Sequence, residues 1–460
     1  VISAQELIER ITAKAPFDDC IVIVNDSTQA NLRWANSTLT TNGVIANRSI
    51  TVIAFVAIEG GVASGAVTRT NIELHEIDTV IKEAGEAAKA AGKAEDFAPL
   101  AKDVSHGDWN SPHHATGPEV FSKIAPELGD MFSRSVKDKI ELFGYAEHTH
   151  KTVWVGSKGG IRMRHDQPAG RVEMTGKSHD RTRSTWDGVA TRDFSNVSIA
   201  KIDSHIRQRL EWQAKRIELP AGRYDTLFPA GSISDLITYM LWMSAGRDAF
   251  EGRSAFSKPG GGTRIGESFS NKATTLFSDP KYPGLESAPF SSAGASSEFT
   301  SVFDNGQKIN RTEWISRGSL KNLVTTRASA ELTSLPYAPM GENLILTVDG
   351  GSGSLEDLAS KLGNGLLVTT LWYIRMVDPQ TLLLTGLTRD GIYLVKNGEV
   401  QGAVNNFRWN DSPLNILNNI AEAGSTEICQ PREWADYVDR VAMPPMIIKD
   451  FNMSTVSEAN

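Results

Sequence analysis

From Asn343 onward the chain is a succession of short β-branched and aromatic runs broken by Gly, Asn and Asp, and this leaves few folds open. "NLILTVDGG", "GLLVTTLWYIRM" and "TLLLTGLTRDGIYLVKNGEVQGAVNNFRW" have the length and texture of strands bounded by turn formers. Arg389-Asp390-Gly391 and Lys396-Asn397-Gly398 are expected to be hairpin turns, because Asp-Gly and Asn-Gly supply the positive φ that tight turns between twisted strands need. A mostly antiparallel, β-rich carboxy-terminal domain with a few helices follows. Ahead of it, "ISDLITYMLWMSAGRDAFEGRSAF" (233–256) predicts one amphipathic helix capped by Ser232 or Ser234, with Leu236, Ile237, Met240, Leu241, Trp242 and Met243 in the core. The polar, Gly- and Ser-rich tract 258–307 is too long for a structureless gap and predicts functional surface loops.

The amino-terminal half mixes both element types. Ser3 and Glu6 form a capping box before Leu7, Ile8 and Ile11, and helices are expected over 75–91, 119–134 and 202–216. Strands are expected over 20–26, 31–37 and 49–67, and several more over 141–178. The fold class is therefore α+β: a mixed α+β domain over 1–220, with a possible sub-boundary near 95–118, and a β-rich domain over 221–460. The Pro220-Ala221-Gly222 break separates them.

Charge narrows the function. With 47 basic against 55 acidic residues there is no cationic surplus to neutralise a nucleic-acid backbone, so neither DNA nor RNA is an expected partner. No apolar run approaches the roughly 20 residues that span a bilayer, and the start lacks the pattern of a signal peptide. A cytoplasmic protein without membrane association is expected, with Cys20 and Cys429 unlinked.

All nine histidines precede Arg207, so the second domain can build neither a His-ligated zinc site nor a Ser-His or Cys-His nucleophile from its own residues. His75-Glu76 begins like a zinc helix, but Thr79 and Val80 stand where the second His would be needed. His113-His114 and His148-Thr149-His150 could chelate a metal from one strand face, yet their segments look solvent-facing and lack a neighbouring Cys or acid. "SKPGGGTRIGES" lacks the Gly-Lys-Ser/Thr of a phosphate loop, and no G-x-S-x-G elbow is present. Ser354-Leu355-Glu356-Asp357 predicts a helix start. No catalytic, metal or cofactor-binding residue is assigned.

The chain resembles the TldD/PmbA family. The likeness is carried by "GRSAF" (252–256), by "FDNGQKINRTEWISRGSLKNLV" from Phe303, and above all by residues 365–400 and "AVNNFRWNDSP" (403–413). Fainter echoes are "RWANSTLTTNG" (33–43) and "RSTWDG" (183–188). In TldD-type subunits the helix before the "GRS"-like turn resembles a metalloprotease helix with an HExxxH motif, whose histidines hold zinc and whose Glu activates water. Here Leu236 to Trp242 read Leu-Ile-Thr-Tyr-Met-Leu-Trp, which carries none of those groups. The resemblance is thus to PmbA/TldE-type subunits. It implies a non-catalytic member of a heterodimeric metalloprotease, with zinc in a TldD-type partner and unfolded peptide as substrate. Arg375, Asp378, Arg389, Asn405, Asn406 and Arg408 are then candidates to face the peptide chamber. An independently active hydrolase, or a peptide-binding regulatory protein without turnover, are the alternatives.

Overall fold

The computed structural model describes residues 2–458. Helix α1 (Ala4–Lys14) starts where the Ser3 hydroxyl accepts the Glu6 amide N–H. Then come β1 (Asp19–Ala35), β2 (Thr38–Ile58), β3 (Gly61–Thr70), α2 (Ile77–Ala91), β4 (Ser105–His106) and α3 (Ala125–Lys137). The first half ends with β5 (Ile140–Ser157), β6 (Arg162–Ser178), β7 (Ser184–Thr191) and α4 (Ile199–Trp212). The strands expected over 20–26 and 31–37 are one continuous strand, since in-register pairing with β2 and β5 carries β1 through Asn25 to Asn31 without a break.

These strands form one sheet in the order β3-β2-β1-β5-β6-β4, with β7 also on β6. Its two faces follow from the two-residue strand period. Cys20, Val22 and Val24 pack under α1 and α2, and Ala30, Leu32 and Trp34 lie in the cluster with α3 and α4. Ile21 and Ile23 point the other way, onto Phe290, Val302 and Phe303 of the second half. Part of the tract 258–307 is thus an apolar cover for the amino-terminal sheet.

The second half opens with β8 (Arg216–Ile217), β9 (Gly222–Phe228), α5 (Ala230–Trp242), α6 (Gly246–Phe250) and β10 (Thr274–Ser278). It continues through β11 (Thr312–Ser316), β12 (Ser319–Leu320), α7 (Arg327–Thr333), β13 (Ile345–Val348), α8 (Leu355–Leu362) and β14 (Asn364–Val368). Next are β15 (Leu371–Asp378), β16 (Leu383–Thr388), β17 (Ile392–Lys396), β18 (Glu399–Val404), β19 (Phe407–Asp411) and α9 (Pro413–Asn418). The last strands are β20 (Ile420–Ala423), β21 (Glu427–Cys429), β22 (Val441–Met443), β23 (Met446–Met453) and β24 (Thr455–Val456). They build three sheets, ordered β20-β23-β9-β14-β17-β18-β8, β12-β11-β10-β13-β22-β21 and β15-β16-β19-β24. The chain is α+β throughout, and Ser354 and Asp357 form the capping box that starts α8.

Two local expectations are corrected. The helix over 233–256 is two helices: α5 ends at Trp242, and Ala245 and Gly246 instead pair with Val324, the Gly246 N–H bonding the Val324 carbonyl at 2.7 Å. Pro229 occupies its N-cap position, while Ser232 and Ser234 lie inside the first turns. Secondly, Asp390-Gly391 is not a hairpin turn. Residues 364–396 form one long two-stranded ribbon, in which β14 pairs with β17 and β15 with β16, bent between two sheets at 369–370 and 389–391. Thr369 N–H bonds the Gly391 carbonyl and Thr370 Oγ1 bonds the Arg389 carbonyl, each at 2.8 Å, so the two bends hold each other. The Asn397-Gly398 turn does join a hairpin, β17 to β18.

Candidate functional site

Helix α5 is buried on most sides: Ile233, Leu236, Ile237, Met240 and Leu241 belong to the main core of the second half. Asp235, Tyr239 and Trp242, spaced by four and then three residues, share the remaining edge. That edge is taken up by the strap 430–439 between β21 and β22. Asp235 Oδ1 accepts the Glu433 backbone N–H at 2.9 Å, and the Trp434 indole N–H donates to the Asp235 carbonyl at 2.8 Å. Trp434 then meets Trp242 and Tyr239 at ring-centroid distances of 5.2 and 5.4 Å, and Trp242 meets Tyr437 at 6.0 Å. Asp235 is 1% exposed and its Oδ2 has no hydrogen-bond partner among the described residues. Burial, helped by the Glu433 charge, holds its carboxyl well above the usual carboxylate range and so favours the neutral acid.

The α5 edge does not fit a zinc ion. It offers an acid already engaged by the strap, a phenol and an indole, and among the described residues no three His, Cys, Asp or Glu side chains converge to hold a metal.

The strap is pinned to the amino-terminal sheet as firmly as to α5. Arg171 Nη2 bonds Asp436 at 2.8 Å, and Gln430 Nε2 bonds Glu173 at 2.7 Å. The Arg432 guanidinium lies 3.1 Å over the Trp372 ring and 4.8 Å from that of Trp186, bridging the two halves. Alongside the strap run two neighbouring cavities of about 430 and 320 Å³, both lined by Lys151, Gln167 and Asp439. Trp242, His165 and Tyr437, the last 79% exposed, face the larger. Solvent reaches Asp439, but surrounding protein raises its carboxyl above the usual range against the pull of Arg440, Arg171 and Lys151. Aromatic faces and charges of both signs along a groove suit an extended polypeptide. Sequence reasoning missed these residues. The only signal was the aromatic and charged density of "PREWADYVDR" (431–440).

Of the residues expected to face a chamber, Arg389, Asn405 and Asn406 come together, around a different cavity of about 660 Å³ at the seam between the halves. Arg375, Asp378 and Arg408 do not join them. Arg375 bonds the Ile374 carbonyl, Asp378 accepts from the Gln380 N–H and the Thr381 hydroxyl, and Arg408 reaches Thr385 Oγ1.

His113 and His148 are held by hydroxyls and a carbonyl, whereas His205 pairs with the Asp187 carboxylate at 2.8 Å. His148, expected to face solvent, is buried. Its Nε2–H donates to the Arg192 carbonyl at 2.8 Å, which leaves Nδ1 to accept from Thr116 Oγ1 at 2.7 Å. His113 sits between Thr152 and Thr28, and burial pushes His150 down to about 4. His75 is exposed beside Glu73.

A family model described as the PmbA/TldA metallopeptidase C-terminal domain matches residues 221–455. No curated protein sequence matches the chain. Among solved structures, TldE from Thermococcus kodakarensis is similar with a TM-score of 0.78 at 15% identity, covering 97% of this chain and 99% of that one. A Thermotoga maritima protein described as a candidate modulator of a DNA gyrase gives 0.74 at 16% identity, over 97% and 99% of the two chains. A Bacteroides thetaiotaomicron protein with a like description gives 0.73 at 13% identity, over 99% and 100%. At these identities the likeness is one of fold.

Proposed function

The chain belongs to the PmbA/TldD metallopeptidase family, and from that premise we propose that it is the non-catalytic, TldE-type subunit of a heterodimeric zinc metallopeptidase acting on unfolded peptides. A TldD-type partner holds the zinc. The observation that carries this reading is the edge of α5. In the TldD-type pattern this helix presents zinc ligands and a water-activating Glu, whereas here Asp235, Tyr239 and Trp242 are given over to packing the strap. A helix so committed supplies shape and surface. The groove beside it is then chamber wall, and the cytoplasm, where Cys20 and Cys429 stay reduced, is its compartment. No helix among the described residues is long and apolar enough to cross a membrane.

The test is to mix this chain with a purified TldD-type chain and follow mass, zinc content and peptide cleavage together. One complex is expected, with zinc contributed by the partner and cleavage that needs both chains and stops on chelation. Cleavage by this chain alone would establish an independent hydrolase. Peptide binding without turnover in the mixture would establish a regulator, and two species that stay separate at micromolar concentration would refute the subunit reading.

A further inference from the structure

The 660 Å³ cavity at the seam is within the roughly 300–1,000 Å³ range of ligand pockets, and the site on α5 does not use it. Its walls come from both halves: Arg181 from the β6–β7 connection, Arg216 from β8, Arg389 and Asp390 from the bend of the ribbon, and Asn405 from the β18–β19 connection. Although the chain carries a net charge of −8, three guanidinium groups gather here against the carboxylates of Glu218 and Asp390. Arg181 is already paired with Glu141, but Arg216 bonds the Thr182 carbonyl, and no carboxylate among the described residues pairs with it.

Two side chains stand out on these walls. Asn405 Oδ1 is fixed by the Leu219 N–H at 2.7 Å, which turns its amide NH2 away from that bond, and Nδ2 is shielded from solvent with no acceptor among the described residues. Arg389 Nε is likewise shielded and has no hydrogen-bond partner among the described residues; it forms a long ion pair with Asp390 at 3.7 Å, and the guanidinium is held 5.7 Å over the Trp372 ring. Buried donors nearly always find acceptors, so a donor-rich wall with unspent N–H groups fits a ligand that brings oxygen and negative charge.

We propose that this cavity binds a peptide carboxylate, with Arg389 and Asn405 as its principal donors and Arg216 adding charge. The proposal rests on the peptide-handling reading above and names the feature of the peptide that this subunit grips. It does not depend on the partner. The carboxylate comes from the chain terminus or from an acidic side chain.

The experiment measures fluorescence anisotropy of a labelled, unfolded peptide on this chain alone. Peptides are compared as the free acid, as the carboxy-terminal amide, and as the amide with Glu in the last position. The plain amide is expected to bind about tenfold more weakly than the acid, and recovery by the Glu-containing amide assigns the contact to a side chain rather than the terminus. Asn405→Asp keeps the acceptor for Leu219 but replaces the free donor with an acceptor, so it should abolish the preference for the acid. Arg389→Lys should retain part of it and Arg389→Met none. Asp378→Asn, a turn cap outside the cavity, should change nothing. Equal binding of acid and plain amide by the wild-type chain, or an unchanged preference in folded Asn405→Asp and Arg389→Met, overturns the proposal. If the pair assembles and cleaves while this chain ignores the carboxylate, only this proposal falls. If the carboxylate is gripped but no pair forms, only the subunit reading falls.

Discussion

The Trp434 indole N–H donates to the Asp235 main-chain carbonyl at 2.8 Å, so the strap is fastened to the backbone of α5 rather than merely lying on its side chains. The same Trp packs on Tyr239 and Trp242, and its removal therefore costs a hydrogen bond and aromatic contact together.

Trp434→Ala should destabilise the chain by about 2 kcal/mol, below the ~3–5 kcal/mol of a fully buried Trp because this one is only partly buried. Trp434→Phe keeps the ring and should lose about 1 kcal/mol, the worth of the hydrogen bond. Denaturant unfolding measures both, and limited proteolysis should cut the strap of the Ala variant first.

Asp235 gives the stability curve a sign. Its folded pKa is raised above the unfolded value, so between the two the folded state binds more protons, and stability falls as pH rises through that window. Asp235→Asn retains an acceptor for the Glu433 N–H and does not ionise. Its stability should decline less from pH 4 to pH 8 than that of the wild type, with a relative gain at the upper end. Parallel pH profiles for the two chains would rule the idea out.

Gly391 holds the bend of the ribbon. A Cβ there would lie 1.8 Å from Thr369 Oγ1, inside the contact that joins the two bends. Gly391→Ala should cost about 3 kcal/mol, and adding Thr369→Ala should recover part of it by removing the clashing oxygen. Thermal unfolding of the single and double variants decides; a harmless single substitution would contradict the geometry.

Cys20 is buried in β1, and burial first, with Asp19 second, pushes its thiol up to about 12, so the thiolate that alkylating reagents need is scarce in the folded protein at pH 8. Cys429 is raised by burial as well. Mass spectrometry should show two alkyl groups added after denaturation without reductant, and slow labelling of Cys20 before it. A chain that takes no label when unfolded would mean the thiols are linked.

Much of this was legible in the residue pattern. The strand texture from Asn343 onward, the Asn397-Gly398 hairpin, the Ser3 and Ser354 helix starts and the absence of histidine beyond His205 are properties of near neighbours in the chain, and propensity and capping act at that range. The absence of zinc donors from Leu236 to Trp242 was equally plain, since it needs only the identity of the side chains. What tertiary structure decided was which segments meet. Asp390-Gly391 has turn chemistry, but the partner of β17 across the bend is β14, with paired residues running from Val368 with Ile392 to Asn364 with Lys396, so the dipeptide folds a ribbon instead of ending it. The helix over 233–256 stops at Trp242 because Val324, far along the chain, claims the Gly246 N–H. The strap, the groove and the seam cavity join residues from both halves, and no local preference encodes that: contacts such as Trp434 with Asp235, or Arg432 between Trp186 and Trp372, form only once separate sheets have docked and excluded water from between them.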